Sequence, residues 1–147
     1  MDENIARLRK EYQKGSLDIT HVKEDPIGQF QEWFEQAQHS DVSEPNAMNL
    51  CTVNREGTPS SRVVLLKDIE EKSLVFFTNY QSRKAKDIED NPKVALTFFW
   101  PPLERQVHFS GVASKLDRQA SINYYHSRPR ESQIGAWASP QSELIEN

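Results

Sequence analysis

The chain has 147 residues, with 18 Lys plus Arg against 22 Asp plus Glu and a formal net charge of −4. That length suits a single domain able to bury about two-thirds of its unfolded surface without disulfide staples. The charge balance argues against a nucleic-acid partner or a membrane-surface role, yet leaves room for a small anion held by a local cluster of cations.

Residues 2–14 are charged, and Ile5, Leu8 and Tyr12 recur at helical spacing, so a first helix is expected there, ended by Gly15. Asp25-Pro26 reads as an N-cap followed by a proline at the first helical position. Ile27, Phe30, Trp33, Phe34 and Ala37 then form one apolar face of a helix near 26–39. Residues 47–54 read as a strand, Arg55-Glu56-Gly57-Thr58 as a hairpin turn and 59–67 as the returning strand. Asp68 to Lys72 is expected to turn, and Ser73 to Thr78 to form a third strand. A short helix over Ser82 to Asp90 is closed by Asn91-Pro92. Strands follow at Lys93 to Phe99 and Arg105 to Leu116, separated by Pro101-Pro102. Asp117 can cap a helix reaching about His126, a further helical segment runs from Arg128 through Trp137, and another starts at Ser139-Pro140. Short antiparallel strands at regular spacing suggest a closed or partly closed β-barrel. The expected organisation is one domain over 1–147: helices in 1–40, barrel in 47–116, helices in 117–147.

Several chemistries find no support. Cys51 is the single cysteine, which excludes an intrachain disulfide and multi-thiolate metal sites and points to a reducing, cytoplasmic setting. Its strand position suggests a buried, inert thiol. His21, His39, His108 and His126 lack zinc-motif spacing. The acidic start Met1-Asp2-Glu3-Asn4 is unlike a signal peptide, and no apolar run approaches the ~20 residues needed to cross a bilayer. There is no G-x-G-x-x-G, P-loop or G-x-S-x-G elbow.

Three cationic clusters remain. Arg62 and Lys67 bracket four aliphatic residues on a strand; five positions apart, they point to opposite faces. They could serve a ligand and an interface, or simply be solvated strand ends. Ser82-Arg83-Lys84 puts cations in a helix's first turn, against the macrodipole, a conflict that a docked phosphate would relieve. The alternative is an exposed helix in which Lys86 pairs with Asp90. Tyr124 to Ser132 combines an aromatic face, arginines and hydroxyls, as a flat phosphorylated aromatic ligand would require. The alternative there is a helix–helix corner with its arginines in water.

Taken together, these stretches resemble the pyridoxine (pyridoxamine) 5′-phosphate oxidase family. The resemblance is carried by Arg62 to Lys67 (RVVLLK), Phe77 to Ala85 (FTNYQSRKA), Leu103 to Val107 (LERQV) and Tyr124 to Trp137 (YYHSRPRESQIGAW). It extends from about Arg9 to Ser142, and the SRPR-x-SQIGAW run is its specific part. It implies an α+β, antiparallel split β-barrel of the FMN-binding type with flanking helices, working as a homodimer with flavin at the subunit interface. The implied FMN contacts are Arg62, Val63, Val64, Leu65, Leu66, Lys67, Phe77, Thr78, Arg83, Lys84, Gln106, Gln141 and Ser142. The implied substrate contacts are Lys67, Tyr124, Arg128 and Ser132, with Arg9 and Tyr12 in a segment that closes over the substrate. No metal and no protein acid or base is implied.

The implied reaction oxidises pyridoxine 5′-phosphate or pyridoxamine 5′-phosphate to pyridoxal 5′-phosphate. Hydride passes from C4′ to flavin N5, and dioxygen reoxidises the flavin. Family members continue into a Trp-Gly-Gly motif and an Arg-x-His-x-Arg motif beyond the point where this sequence stops. The barrel is therefore expected to be incomplete at its C-terminal end. The alternative function is an inactive, truncated flavin- or pyridoxal-phosphate-binding module.

Overall fold

The structure is a computed structural model that describes residues 17–70, 72–138 and 141–142, together with 5, 7, 8, 11 and 13. Most of the expected first helix, and the segment expected from Ser139, lie outside the described residues. By contact density the chain divides into two compact units: Met1–Pro45 with Phe99–Gln106, and Asn46–Phe98 with Val107–Asn147.

The first unit is organised around helix α1 (Pro26–Gln38). Asp25 caps it through its carboxylate, which accepts from Gly28 N at 2.7 Å, and Pro26 occupies the first turn. The expected apolar face turns inward. Phe30 and Ala37 are buried, and Phe30 packs on Phe34 and Trp100 with ring centroids 5.8 and 6.1 Å apart. The Trp100 indole N–H donates to Pro45 O at 3.0 Å, so the large ring is buried without stranding its donor. Arg105 lies over the Trp33 ring, 4.7 Å from its centroid, and donates to Gln36 Oε1 at 2.9 Å.

The second unit carries most of a five-stranded antiparallel sheet in the order β3-β2-β1-β4-β5. Its strands are β1 (Ala47–Val53), β2 (Pro59–Glu70), β3 (Ser73–Phe76), β4 (Lys93–Trp100) and β5 (Arg105–Val112). β1 is buried on alternate residues, and Met48, Leu50 and Thr52 form the inward row. It pairs with β2 from Ala47↔Leu65 to Val53↔Pro59 and with β4 at Leu50↔Leu96. The hairpin between β1 and β2 closes on Asn54, whose Oδ1 accepts from Glu56 N and Thr58 N, while Gly57 supplies the positive φ of 83°. Cys51 is half-buried rather than buried, because it belongs to the opposite row of β1.

Three boundaries differ from expectation. β2 continues through Asp68 to Glu70, where a turn was expected, because residues 68–70 still pair with β3. The ladder absorbs the extra length in a bulge between Leu66 and Asp68, which leaves Lys67 as the unpaired residue. β3 stops at Phe76, so Phe77 and Thr78 lie in the following connection. β5 ends at Val112, and the turn of Pro101–Leu103 separates it from β4.

Helix α2 (Arg83–Asp90) follows β3, and helices α3 (Arg118–Ser127) and α4 (Arg130–Ala138) follow β5. Asp117 caps α3 by accepting from Ala120 N at 2.8 Å. Among the described residues no helix is long and apolar enough to cross a membrane, and no cluster of His, Cys, Asp and Glu could hold a metal ion.

Leu50 is fully buried at the centre of β1, between β2 and β4. Leu50→Ala is expected to cost about 3 kcal/mol of stability, since a cavity there cannot collapse without moving two strands. A lowered urea midpoint with an unchanged denaturant slope is the expected readout.

Candidate functional site

β2 alternates its side chains between two sides as far as Leu66. Arg62 shares a face with Val64 and with Leu66, which is 4% exposed and belongs to the core. Val63 and Leu65 point the other way and are 68% and 36% exposed. The alternation runs through Leu66, and Lys67 follows at the bulge, where it is interrupted. The six-residue run from Arg62 to Lys67 cannot present all its side chains to one ligand.

Arg62 lies across from Leu50 in the ladder and faces α2. One terminal nitrogen, Nη1, donates to Thr52 Oγ1 at 2.8 Å and to Leu50 O at 3.3 Å; Nη2 donates to Ser60 Oγ at 2.6 Å. The Thr52 hydroxyl in turn donates to Asp87 Oδ2 at 2.8 Å. Asp87 is a buried carboxylate on α2, and Arg62 Nη2 stands 3.9 Å from its Oδ2. Neither Thr52 nor Asp87 stood out in the sequence. The one available signal was a threonine on the otherwise apolar inward row of β1.

Lys84 stands close to this group. Its ammonium donates to Gln141 Oε1 at 2.8 Å and to Ser82 Oγ at 3.3 Å, both neutral acceptors. Burial holds its pKa below the ordinary lysine value of 10.5, and repulsion from Arg62 lowers it further. Ser82 is the N-cap of α2, yet its hydroxyl donates to Asn79 O at 2.7 Å instead of capping, and it lies 3.5 Å from Thr78 Oγ1. The first-turn N–H groups of α2 therefore lack a side-chain cap at the end where the helix field favours an anion. Arg83 is exposed and makes no hydrogen bond or ion pair among the described residues. Lys86 and Asp90 form no ion pair either, so the simple exposed-helix alternative loses its pairing. Thus Arg62, Thr78, Lys84 and Gln141 come together, with Arg83 beside them in sequence on α2.

A second group forms around Tyr124. Its ring stacks on Phe77 with centroids 3.7 Å apart and planes 4° from parallel, and Lys67 Nζ lies 6.0 Å from the Tyr124 centroid. A residue expected on flavin, one expected on substrate and one expected on both thus meet in one place. Tyr124 and Arg128 are one helical turn apart, Arg128 being the C-cap of α3. The corner into α4 is fixed by Gln133, whose amide donates to Arg128 O at 2.8 Å, and by Tyr125. The Tyr125 hydroxyl donates to Gln133 O and accepts from Trp137 Nε1 at 2.7 Å. Arg128 and Ser132 flank this corner, both half-buried.

Gln106, Ser142, Arg9 and Tyr12 complete the expected set. Gln106 is exposed on β5 and belongs to the first unit. Ser142 lies in a turn at φ 68° beside Gln141. Arg9 and Tyr12 fall outside the described residues.

Comparison with known proteins gives the family. Residues 34–147 match the family model described as pyridoxamine 5′-phosphate oxidase. The chain belongs to that enzyme family. The pyridoxine/pyridoxamine 5′-phosphate oxidase of Leptospira interrogans is 54% identical over 145 residues, covering 99% of this chain and 68% of that protein. The Haemophilus influenzae protein of the same name is 53% identical over 97% of the chain and 68% of its own length. The Salinibacter ruber protein is 48% identical over 97% and 66%. The chain therefore spans about two-thirds of the length of these relatives.

Among solved structures, PhzG from Burkholderia lata in complex with tetrahydrophenazine-1-carboxylic acid has a TM-score of 0.84 at 25% identity, covering 90% of this chain and 68% of PhzG. An FMN-binding, pyridoxamine 5′-phosphate oxidase-related protein from Nostoc punctiforme has a TM-score of 0.63 at 20% identity, covering 83% and 74%. The fold is thus the antiparallel split barrel of FMN-binding proteins with flanking helices, as expected.

The depressed Lys84 pKa fixes the sign of a pH effect. Below that pKa the folded protein bears the full cost of a desolvated ammonium, and the cost fades as pH rises through it toward 10.5. Flavin-free wild type is therefore expected to gain stability over this interval relative to Lys84→Gln. Melting temperatures of the two proteins at stepped pH check this.

Proposed function

We propose that this chain binds FMN and oxidises pyridoxine 5′-phosphate or pyridoxamine 5′-phosphate to pyridoxal 5′-phosphate, with dioxygen as acceptor, in vitamin B6 salvage. The observation that carries this reading is the gathering of Lys84 and Arg62 at the start of α2. Among the described residues a partly desolvated ammonium, hydrogen-bonded to two neutral oxygens, sits in the field of Arg62 beside a helix start without a side-chain cap. A phosphate group would supply the missing charge and accept the free N–H donors. These residues fit the phosphate end of FMN.

In this reading Arg83, Lys84 and the first-turn N–H groups of α2 hold the FMN phosphate, with Arg62 behind them as a fixed charge. Thr78, Gln141 and Ser142 add hydrogen-bonding groups. Val63, Val64, Leu65 and Leu66 form the strand along which the flavin lies, and Leu66 can offer only backbone, since its side chain is in the core. Phe77, Lys67 and Tyr124 mark where the flavin and substrate rings meet. Arg128, Tyr124 and Ser132 hold the substrate phosphate.

Bound at these residues, FMN would supply the redox chemistry: hydride acceptance from the substrate's C4′ carbon and transfer of the electrons to dioxygen. The protein's part is orientation, neutralisation of two phosphates and exclusion of water. Exposed apolar residues on the outward side of β2 and on α4, among them Val63 and Trp137 at 84% exposure, suit a homodimer. The setting is cytoplasmic.

The test is direct. The purified chain is mixed with FMN and assayed under air for pyridoxal 5′-phosphate formed from pyridoxine 5′-phosphate. Turnover is the expected result. Yellow protein without turnover would favour the alternative of an inactive binding module. Arg128→Ala is expected to raise KM for the phosphorylated substrate about tenfold or more while FMN is retained. Arg83→Ala should do the converse, releasing flavin on gel filtration; equal loss of both ligands in either variant would refute two separate phosphate sites.

A further inference from the structure

The Arg62 and Asp87 charges are close enough to collapse into a direct ion pair, yet they stand 3.9 Å apart. Charge-assisted contacts between such groups normally close to about 2.7–2.9 Å. The Thr52 hydroxyl fills the gap, accepting from Arg62 Nη1 at 2.8 Å and donating to Asp87 Oδ2 at 2.8 Å. Thr52 itself is fully buried. Ser60 Oγ and Leu50 O take further Arg62 donors, which leaves the Nε–H and one Nη2–H without an acceptor among the described residues.

We propose that Thr52 is a positioning residue that holds Arg62 off Asp87 and so keeps the guanidinium charge available to the phosphate of a bound flavin. This rests on the reading that FMN phosphate sits beside Lys84. Without the hydroxyl, Asp87 would lose its short donor and Arg62 its anchor in the same event. The shortest remaining satisfaction for both is a direct contact, which draws the guanidinium toward α2. The carboxylate would then neutralise the charge that the phosphate otherwise meets. The role is separable from packing, because the threonine methyl fills the core while its hydroxyl carries the relay.

The experiment compares FMN with riboflavin, which has the same ring system without the phosphate, by quenching of flavin fluorescence on binding. The wild-type chain is expected to prefer FMN. Thr52→Val keeps the volume and loses the hydroxyl, and should cut that preference about tenfold, the scale of one hydrogen bond to a charged group. Thr52→Ser loses the methyl but keeps the hydroxyl, and should hold the preference within about threefold.

The proposal is overturned if Thr52→Val keeps the wild-type preference, if it weakens both flavins by the same factor, or if Thr52→Ser loses as much as Thr52→Val. A wild type that does not distinguish the two flavins would remove the phosphate reading itself, and this proposal with it. If Thr52→Val does not fold, Ser60→Ala decides, since it loosens Arg62 from a half-exposed position. A reduced FMN preference then supports the positioning role, and an unchanged one rejects it.

Discussion

Two positive charges held within each other's field, at the junction of a strand pair and a helix start, set the terms for the rest of this molecule. Arg62 and Lys84 repel, and Lys84 registers that repulsion on top of its own desolvation. Such a pair survives in a folded protein only if its surroundings are rigid and its donors are satisfied. The surroundings here supply one buried carboxylate and several hydroxyls. No buried side-chain polar atom among the described residues lacks a hydrogen-bond partner. The site's electrostatic tension is therefore tolerated by geometry and is not discharged by added acids.

The same junction explains why the sheet is ordered as it is. β1 must lie beside β2 for Leu50 and Thr52 to reach Arg62, and α2 must return over β1 for Asp87 to reach Thr52. Core and site share residues on a single inward row, where Met48 and Leu50 contribute apolar area and Thr52 contributes the polar link. Packing and ligand chemistry are thus not separate layers in this unit. Much of the site's precision comes from strand register, which side-chain alternation enforces strongly wherever one face is buried.

Much of this was legible in the sequence, and what was missed has a common cause. Asp25-Pro26 and Asp117 marked helix starts because capping is a local interaction, and both carboxylates bond as expected. The hairpin at Gly57 was readable for the same reason. The cationic run at Ser82-Arg83-Lys84 stood out because it contradicts the helix dipole. The overrun of β2 to Glu70 was hidden because strand length depends on what the partner strand offers, not on local propensity. Thr52 and Asp87 were invisible because their importance comes from meeting each other across 35 positions, and neither residue type is unusual alone. The Phe77–Tyr124 stack likewise joins segments far apart in sequence, although each partner was marked by its own motif.

The bulge at Lys67 carries an evolutionary consequence. A strand assigns its residues to sides by parity, so an insertion or deletion of one residue between Arg62 and Leu66, ahead of the bulge, would place these two same-face residues on opposite sides. Either the guanidinium would turn away from Asp87 to the side of Val63 and Leu65, or the core leucine would emerge into water. Exchange of one side chain for another in this stretch leaves that assignment intact, whereas a change in its length does not.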